Sequence, residues 1–409
     1  MKKDKIIAGL DLGSSKITVA VGEVEKDGAT NIIDVAVSDS KGIDNGTIVD
    51  LHSAISSVEQ AVEKAEQICG RSIYSVFVNI SGTHIQANRS RGFVSIVENE
   101  IEITKKEVDL AIQNAKNVSV PLDGLVLHIL PVSYSVDGQP GIKNPVGMYG
   151  SRLEADIVVV SSTKNNVQNI MKCLRGAGLE VGGVVLSPIA TAAAILTNEE
   201  KQAATILVDI GGKLTDILVY NNGAVGKIKI LQTGGDYLTK SLMDHLKIPF
   251  YNAKEIKERF AVFPVDSVPE GEKVIVKASS GQKTIPRREL CQILEEKAKY
   301  IFSQIKDELK DAQVLNDPNC TIVLTGAGSM LDGLVEMAEG YFSVPARLGY
   351  VRGATGSLNI LTNPAFATSI GLVRYGAESY KENKVPRILG NSLFSRAANR
   401  LRDIYKEYF

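Results

Sequence analysis

Asp11-Leu12-Gly13-Ser14-Ser15-Lys16 and Asp209-Ile210-Gly211-Gly212-Lys213-Leu214-Thr215 are one turn written twice, and that echo decides the fold. The first follows the apolar run Ile6 to Leu10 and opens the alternation Ile17-Thr18-Val19-Ala20-Val21. The second follows Thr205 to Val208 and opens Asp216-Ile217-Leu218-Val219-Tyr220. Turn-rich breaks close both units, Lys26-Asp27-Gly28 and Asn221-Asn222-Gly223, so each reads strand, tight turn, strand. Glycine lets backbone N–H groups approach an anion with no Cβ in the way. A carboxylate cannot touch a phosphate directly, so the natural partner of Asp11 and Asp209 is a hydrated cation such as Mg²⁺ riding on that phosphate. Two such hairpins face to face predict a metal–nucleotide clamp between two related halves.

Thr321-Ile322-Val323-Leu324 reads as a short buried strand and Thr325-Gly326-Ala327-Gly328-Ser329 as a small-residue turn, with a helix from about Met330 to Tyr341. Strand, turn, helix is a nucleotide-binding arrangement in general terms. Taken in order with the two hairpins, it resembles the phosphate-one, phosphate-two and adenosine motifs of the actin-like ATPase superfamily, which includes actin, DnaK-type chaperones, sugar kinases and MreB. The resemblance implies ATP and Mg²⁺ as cofactors. Gly13, Ser14, Ser15 and Lys16 would line the phosphates from the first turn, and Gly211, Gly212, Lys213 and Thr215 from the second. Asp11 and Asp209 would hold the metal through water, and Gly326, Ala327, Gly328 and Ser329 would border the adenosine.

At 409 residues the chain exceeds the ~250–300 residues a single core usually reaches, so two or more domains are expected. Hydrophobic content of 44% and charged content of 23% are ordinary for a globular protein. A net charge of −1 gives no reason to expect nucleic acid as a partner. Cys69, Cys173, Cys291 and Cys320 lack Cys-x-x-Cys spacing and read as reduced core thiols. The four histidines form no ligand pair, so no metal site built of protein side chains is expected. The basic start is followed by an apolar stretch that Asp11 breaks, which does not read as a signal peptide. No run approaches the ~20 apolar residues a spanning helix needs.

The first half reads as strands Lys5–Leu12, Ile17–Val24 and Ile32–Val37, a helix Leu51–Ile68 with apolar residues at helical spacing, and a strand Ser75–Ile80. Three strands recur over 204–231, followed by a helix from Tyr237 to Leu246. Gly234 and Gly235, before that helix, are either a further phosphate contact through N–H groups or part of an ordinary Asp-containing cap. Two insertions break the duplication. Between residues 81 and 161 lie strands Gly92–Val97, Gly124–Ile129 and Glu154–Val160, a helix opened by the capping box Thr104-Lys105-Lys106-Glu107, and an exposed Gly/Pro-rich loop from Asp137 to Gly147. From about Phe250 to Asp317 come a helix near Ala253–Phe260, a strand-like Lys273–Ala278, and a long helix from Arg288 to about Leu309.

This arrangement resembles the FtsA bacterial cell-division family over nearly the whole chain. The early insertion stands where that family carries a subdomain called 1C, and Ile142-Lys143-Asn144-Pro145-Val146-Gly147-Met148 is similar to its I-x-N-P-x-G-M stretch. The implied fold is α/β: a duplicated actin-like (ribonuclease H-like) fold, two large domains around a nucleotide cleft, with an FtsA-type inserted 1C subdomain and a C-terminal amphipathic helix. Residues 1–81 and 162–197, with a return helix 358–377, would form the first half, and 82–161 the insertion. Residues 198–235 and 318–357 would form the second half (2A), 236–317 the 2B subdomain, 378–390 a linker and 391–409 the terminal helix. The family docks the C-terminal tail of the tubulin-like FtsZ on 2B, and its Arg-Arg-x-Leu run matches Arg287-Arg288-Glu289-Leu290. Two arginines beside an apolar groove suit a tail of carboxylates and apolar residues. Two solvated charges at a helix start are the other reading.

In residues 391–409 the apolar side chains, Leu393, Phe394, Leu401, Ile404 and Tyr405 among them, form one helical stripe flanked by Arg396, Arg400, Arg402 and Lys406. A basic amphipathic helix after a linker is the pattern of an interfacial anchor; the alternative is a helix docked on the protein's own core. FtsA proteins end this way, which implies the cytoplasmic face of the cell membrane at the division site. One short anchor binds marginally, and many in one filament act by avidity. The implied partners are the FtsZ tail, further copies of the chain, later division proteins and an anionic membrane surface.

Some residues depart from the superfamily pattern. Its second turn reads Asp-x-Gly-Gly-Gly-Thr/Gln-Thr, and here Lys213 and Leu214 follow Gly212. Lys213 either pairs with phosphate as a point charge or sits outward on the turn. The Ala-Glu-x-x-Lys adenine-side motif appears as Ala253-Lys254-Glu255-Ile256-Lys257, leaving Lys257 as the ribose or base contact. The stretch Ser187 to Ala194, matching the actin segment whose glutamine positions water, contains no Gln, Glu or Asp, so at most a slow ATPase is implied. Three functions remain in view. One is a membrane-bound filament that tethers FtsZ and recruits division proteins. Another is a small-molecule kinase of the same superfamily, which would need a general-base aspartate beside its acceptor. The third is a PilM-like scaffold of a pilus machine, which the terminal helix disfavours.

Overall fold

In the computed structural model the described residues are 5–25, 29–96, 102–119, 123–278 and 281–381. The break at Lys26-Asp27-Gly28 lies outside them, as do Val97 and residues 382–409, on which most of the expected linker and all of the expected terminal helix fall.

The first turn joins β1 (Lys5–Leu12) to β2 (Lys16–Val24), and β3 (Thr30–Asp39) completes an antiparallel meander. A small hairpin, β4 (Ile43–Asp44) and β5 (Thr47–Ile48), leads into α1 (Leu51–Cys69). Asp50 caps α1 by accepting from the N–H groups of His52 and Ser53 at 3.0 and 3.3 Å, which satisfies donors the helix itself cannot. β6 (Ser75–Ile80) then pairs parallel with β1. The chain leaves this sheet to build β7 (Gln86–Ser95), α2 (Lys105–Ser119), β8 (Gly124–Val136), β9 (Gln139–Ile142) and β10 (Arg152–Thr163). These strands form a separate sheet in the order β7-β10-β8-β9, and α2 seals it over a core that includes Ala111, Ala115, Leu153 and Ile157. α3 (Lys164–Gly176), β11 (Glu180–Leu186) and α4 (Ser187–Ile195) return the chain to the first sheet.

After α5 (Asn198–Gln202) the pattern repeats with β12 (Thr205–Ile210), β13 (Thr215–Asn221) and β14 (Ala224–Leu231). Next come α6 (Gly235–Leu246), α7 (Phe250–Phe260), the hairpin β15 (Lys273–Ala278) and β16 (Gly281–Pro286), and α8 (Arg287–Leu309). β17 (Thr321–Thr325), α9 (Leu334–Phe342) and β18 (Ala346–Leu348) complete the second sheet. β19 (Ala354–Gly356) crosses back to pair with β3, and α10 (Leu358–Leu361) and α11 (Ala367–Lys381) end the described chain. The second sheet runs β14-β13-β12-β17-β18 and the first β3-β2-β1-β6-β11, with matching antiparallel and parallel joints. The duplication expected from the two turns is therefore a duplication of whole sheets. β12 shows why its sequence is continuously apolar: Ile206 and Val208 face the core under α8, and Leu207 faces the core shared with the first half.

Several boundaries differ from expectation. The helix after the third turn does not run from Met330. A single 3-10 turn, Ala327–Met330, is followed by a break and α9. Residue 332 is tied by its carbonyl to the N–H of Phe263 at 2.9 Å, and Gly333 takes up the bend at φ 73°. The return helix is not continuous over 358–377, because Pro364 supplies no N–H and Asn363 caps a separate turn. α11 continues to Lys381, so residues 378–381 are helix rather than linker. The Gly/Pro-rich loop holds a two-residue turn, Asp137 and Gly138 both at positive φ, that folds β9 back on β8. The Thr104 capping box forms with one change: Glu107 accepts from the N–H of Thr104 at 2.9 Å, while the Thr104 hydroxyl accepts from Lys106 rather than Glu107.

Candidate functional site

Asp11 and Asp209 occupy equivalent places, each in the last but one residue pair before its turn, opposite Thr18 and Asp216 respectively. Both open on one cleft, which holds about 1180 Å³ of non-atom space with open solvent included. Asp11 accepts from the Asn79 side-chain amide at 2.6 Å, and Asn79 in turn accepts from the N–H of Leu12 at 2.6 Å and donates to the Ser187 hydroxyl at 3.0 Å. Asp209 is held by hydroxyls of Thr191 on α4 and Thr368 on α11, at 3.1 and 3.2 Å. Asp216 accepts from the Ser81 hydroxyl at 2.7 Å, a bond that joins the second half to the first.

These carboxyls resist ionisation. Burial, then the charge of Asp209, raises Asp11 to about 7. Burial, then Asp209 and Asp11, raises Asp216 to about 8. Asp209 is also raised by burial, against the hydrogen bonds of Thr191 and Thr368. Lys16 borders the same space, and burial lowers its pKa although Asp11 and Asp209 pull it up. Its ammonium donates to the Ala365 carbonyl at 3.2 Å. Carboxylates that repel each other and are held by neutral donors are the arrangement a divalent cation would relieve.

The turns leave no room for side chains where they meet. A Cβ on Gly212 would lie 1.9 Å from the Ser15 hydroxyl oxygen, so the two turns touch edge to edge. Gly326 sits at φ 82°, and its Cβ would lie 2.3 Å from an Asp209 carboxylate oxygen. Residues present therefore fit a phosphate chain with a hydrated Mg²⁺ beside it.

The structure gathers Asp11, Gly13, Ser14, Ser15 and Lys16 with Asp209, Gly211, Gly212 and Lys213 around this cleft. Gly235, Lys257, Gly326, Ala327 and Gly328 border it as well. Three of the residues named from the sequence are elsewhere. Thr215 is fully buried and donates to the Thr233 carbonyl at 2.6 Å. Ser329 is buried and donates to the Gly326 carbonyl at 2.8 Å. Gly234 lies behind the second turn, where a Cβ would meet the Gly212 carbonyl at 2.6 Å. At the start of α6 the N–H groups of Gly235 and Asp236 bond the carbonyls of Gly211 and Gly212 at 2.9 and 2.7 Å. That helix end fastens the turn, which uses up donors a phosphate would need.

Lys257 is buried, lowered in pKa by burial, and donates to the Gly235 carbonyl at 2.9 Å. Lys254 and Glu258 stand on the same wall. Lys213 turns to Asp44 of the first half, with Nζ 2.5 Å from the carboxylate. Sequence reading missed Asn79, Thr191, Thr368, Asp44 and Asp216. Only Asp216 carried a usable signal, since it stands at the same offset from Asp209 as Thr18 does from Asp11.

Two copies of one sheet enclosing a cleft, with an aspartate–glycine turn from each, define an actin-like protein. Solved structures agree on the fold. The chain is similar to one in a PilM–PilN type IV pilus biogenesis complex, with TM-score 0.68 and 15% identity, covering 91% of this chain and 98% of that one. It is also similar to MreB5 of Spiroplasma citri bound to ADP, with TM-score 0.53 and 11% identity, covering 93% and 98%. The family models are more particular: "SHS2 domain inserted in FTSA" matches residues 82–161 and "Cell division protein FtsA" matches residues 206–371. The cell division protein FtsA of Pseudomonas aeruginosa is 34% identical over 397 residues, 97% of this chain and 95% of that protein. That of Escherichia coli strain K12 is 32% identical over 385 residues, 92% and 91%. The chain belongs to the FtsA family of cell division proteins.

The raised carboxyls give a pH dependence. Folded values near 7 for Asp11 and 8 for Asp216 lie above the ordinary 3.8. Their contribution to stability is therefore complete below that ordinary value and is lost as pH rises through 7 to 8. The melting temperature of nucleotide-free protein is expected to fall from about pH 5 to about pH 9, and Asp216→Asn to shrink that fall. Calorimetry at constant ionic strength reads both slopes; equal slopes would remove Asp216 from the account.

Proposed function

We propose that this chain binds Mg²⁺·ATP between its halves and uses it to assemble filaments on the inner face of the cell membrane, where it tethers FtsZ and helps recruit later division proteins. The observation that carries the nucleotide reading is the pair Asp11 and Asp209, each raised in pKa, facing one cleft beside glycine turns that touch. In this reading both carboxylates hold the metal through water, the turns supply N–H groups to phosphate, and Gly326 and Gly328 border the adenosine. From α4 only Ser187 lines the cleft, Thr191 being buried against Asp209, and the helix has no Gln, Glu or Asp to orient water. That supports a nucleotide used as a switch with slow turnover. Gly212→Asp would set a carboxylate against phosphate and a side chain into Ser15. Titration calorimetry with Mg²⁺·ATP is expected to show no binding, and wild-type affinity would refute the site.

For the FtsZ tail the two arginines differ. Arg287 is engaged inward, donating to the Phe260 carbonyl at 3.0 Å and to Glu272 at 2.7 Å. Arg288 pairs with Asp266 at 2.6 Å, and that aspartate side chain is 88% exposed, so an incoming peptide carboxylate can replace it. A groove between α6 and α8, lined by Tyr237, Lys240, His245, Gln292 and Ile293, lies along the same helix. Arg288→Glu is expected to weaken an FtsZ tail peptide about tenfold, the worth of a charge-assisted hydrogen bond. Unchanged affinity with folded protein would place the tail elsewhere.

Membrane attachment rests on the stripe of residues 391–409, and no helix among the described residues is long and apolar enough to cross a membrane. Leu401→Glu puts a charge in the middle of that stripe, where burial in the acyl boundary is unfavourable. Flotation with anionic vesicles is expected to lose the variant and keep the wild type. Co-flotation of both would make the helix an internal or partner element.

A further inference from the structure

We propose that Lys213 and Asp44 form a latch that holds the two halves together at the phosphate end of the cleft, and that Lys213 is a closing residue rather than a phosphate ligand. The inference deepens the nucleotide reading, on which only its effect on ligand release depends. Lys213 belongs to the second turn and Asp44 to the β4–β5 hairpin of the first half, and their charged atoms are 2.5 Å apart. Both ends are mounted on fixed backbone. On the first half, the N–H of Gly46 donates to the Ser14 hydroxyl at 3.3 Å, and the N–H groups of Val49 and Asp50 converge on the Gly42 carbonyl at 2.9 and 3.1 Å. On the second, Gly211 bonds the Leu214 carbonyl at 2.9 Å and Gly212 accepts from Asp236 at 2.7 Å. A charge pair between two braced turns resists opening more than one between mobile loops, because less side-chain and backbone freedom is lost in forming it.

Charge balance separates a latch from a phosphate ligand. A lone lysine on this turn would draw a polyphosphate, but the Asp44 carboxylate paired with it offsets much of that attraction. Uncharged-donor bonds join the two halves nearby: Ser81 to Asp216 at 2.7 Å and Ser15 to Asp236 at 3.4 Å. The lysine pair adds an ion pair to this seam. Its side chains are 33% and 43% exposed, so its strength is that of a partly solvated pair and falls as salt is added.

Release of a fluorescent ADP analogue, followed by stopped-flow displacement, tests the effect on ligand. Lys213→Gln and Asp44→Asn are each expected to speed release about two- to fivefold, and the double variant no further than the faster single. Reversal of both charges, Lys213→Asp with Asp44→Lys, should restore slow release. Acceleration by Lys213→Gln with none from Asp44→Asn would make Lys213 a phosphate ligand and overturn the latch. The closure itself is read without nucleotide, by pulsed electron resonance between spin labels on Glu63→Cys and Tyr251→Cys in a Cys69→Ser background. Wild type is expected to give a single narrow distance and Asp44→Asn a broader, longer one; identical distributions would overturn the latch. If the analogue fails to bind wild type, the nucleotide reading falls, and the label distances still decide the latch.

Discussion

Two carboxylates held in one cleft against their own repulsion are the constraint around which the centre of this protein is built. Asp11 and Asp209 are each fixed by neutral donors, Asn79 and Thr18 on one side, Thr191 and Thr368 on the other. Lys16 offsets part of their negative charge without a direct ion pair, while the amide and hydroxyls orient the carboxylates. The cost of such a site is that of buried negative charge only partly offset by Lys16, and it appears as the raised pKa of Asp11 and Asp216. A fold tolerates that cost where the charge meets a counter-ion.

The hairpins were legible because their signal is local. Aspartate, glycine and the apolar alternation recur at the same offsets, and each offset fixes a strand register. What escaped reading comes from elsewhere in the chain: Asn79 arrives on β6, Thr191 on α4, Thr368 on α11, and Asp44 on a hairpin of four paired residues. Thr215 was misread for a different reason. Successive strand residues point to opposite faces, so at the start of β13 Thr215 turns inward to Thr233 while Asp216 turns to the cleft. The hydroxyl beside the glycines looked like the site residue, and its neighbour Asp216 is the one that lines the cleft.

The insertion was harder to outline. β8 was expected to stop at Ile129, and it runs on to Val136 through Pro131. Proline normally argues against a paired strand, but the register slips between Asp156 and Ile157 where Pro131 pairs, and a bulge absorbs the missing donor. The tertiary partner therefore overrides the local signal, and no single-strand pattern shows it. β16 had the same problem: Gly281 to Pro286 is mostly exposed and polar, and it is a strand because β15 pairs with it.

The apolar stretch at α4 has a structural reason for lacking charge. Ser187 opens the helix and is tied to Asp11 through Asn79, while Thr191 is tied to Asp209. One helical turn, about 5.4 Å of rise, therefore separates the anchor of one carboxylate from the anchor of the other. The Thr191 hydroxyl lies 3.0 Å from the Ser187 carbonyl and 2.9 Å from the Thr368 hydroxyl, so α4 and α11 are joined at the same point. These are the two helices that flank the places where the chain crosses between halves. Rotation of one half on the other must bend the chain beside this junction, and the spacing of the two carboxylates is fixed there too. The anchors of both carboxylates and the crossings between halves thus meet at one short helix, so a shift of that helix would move both anchors together.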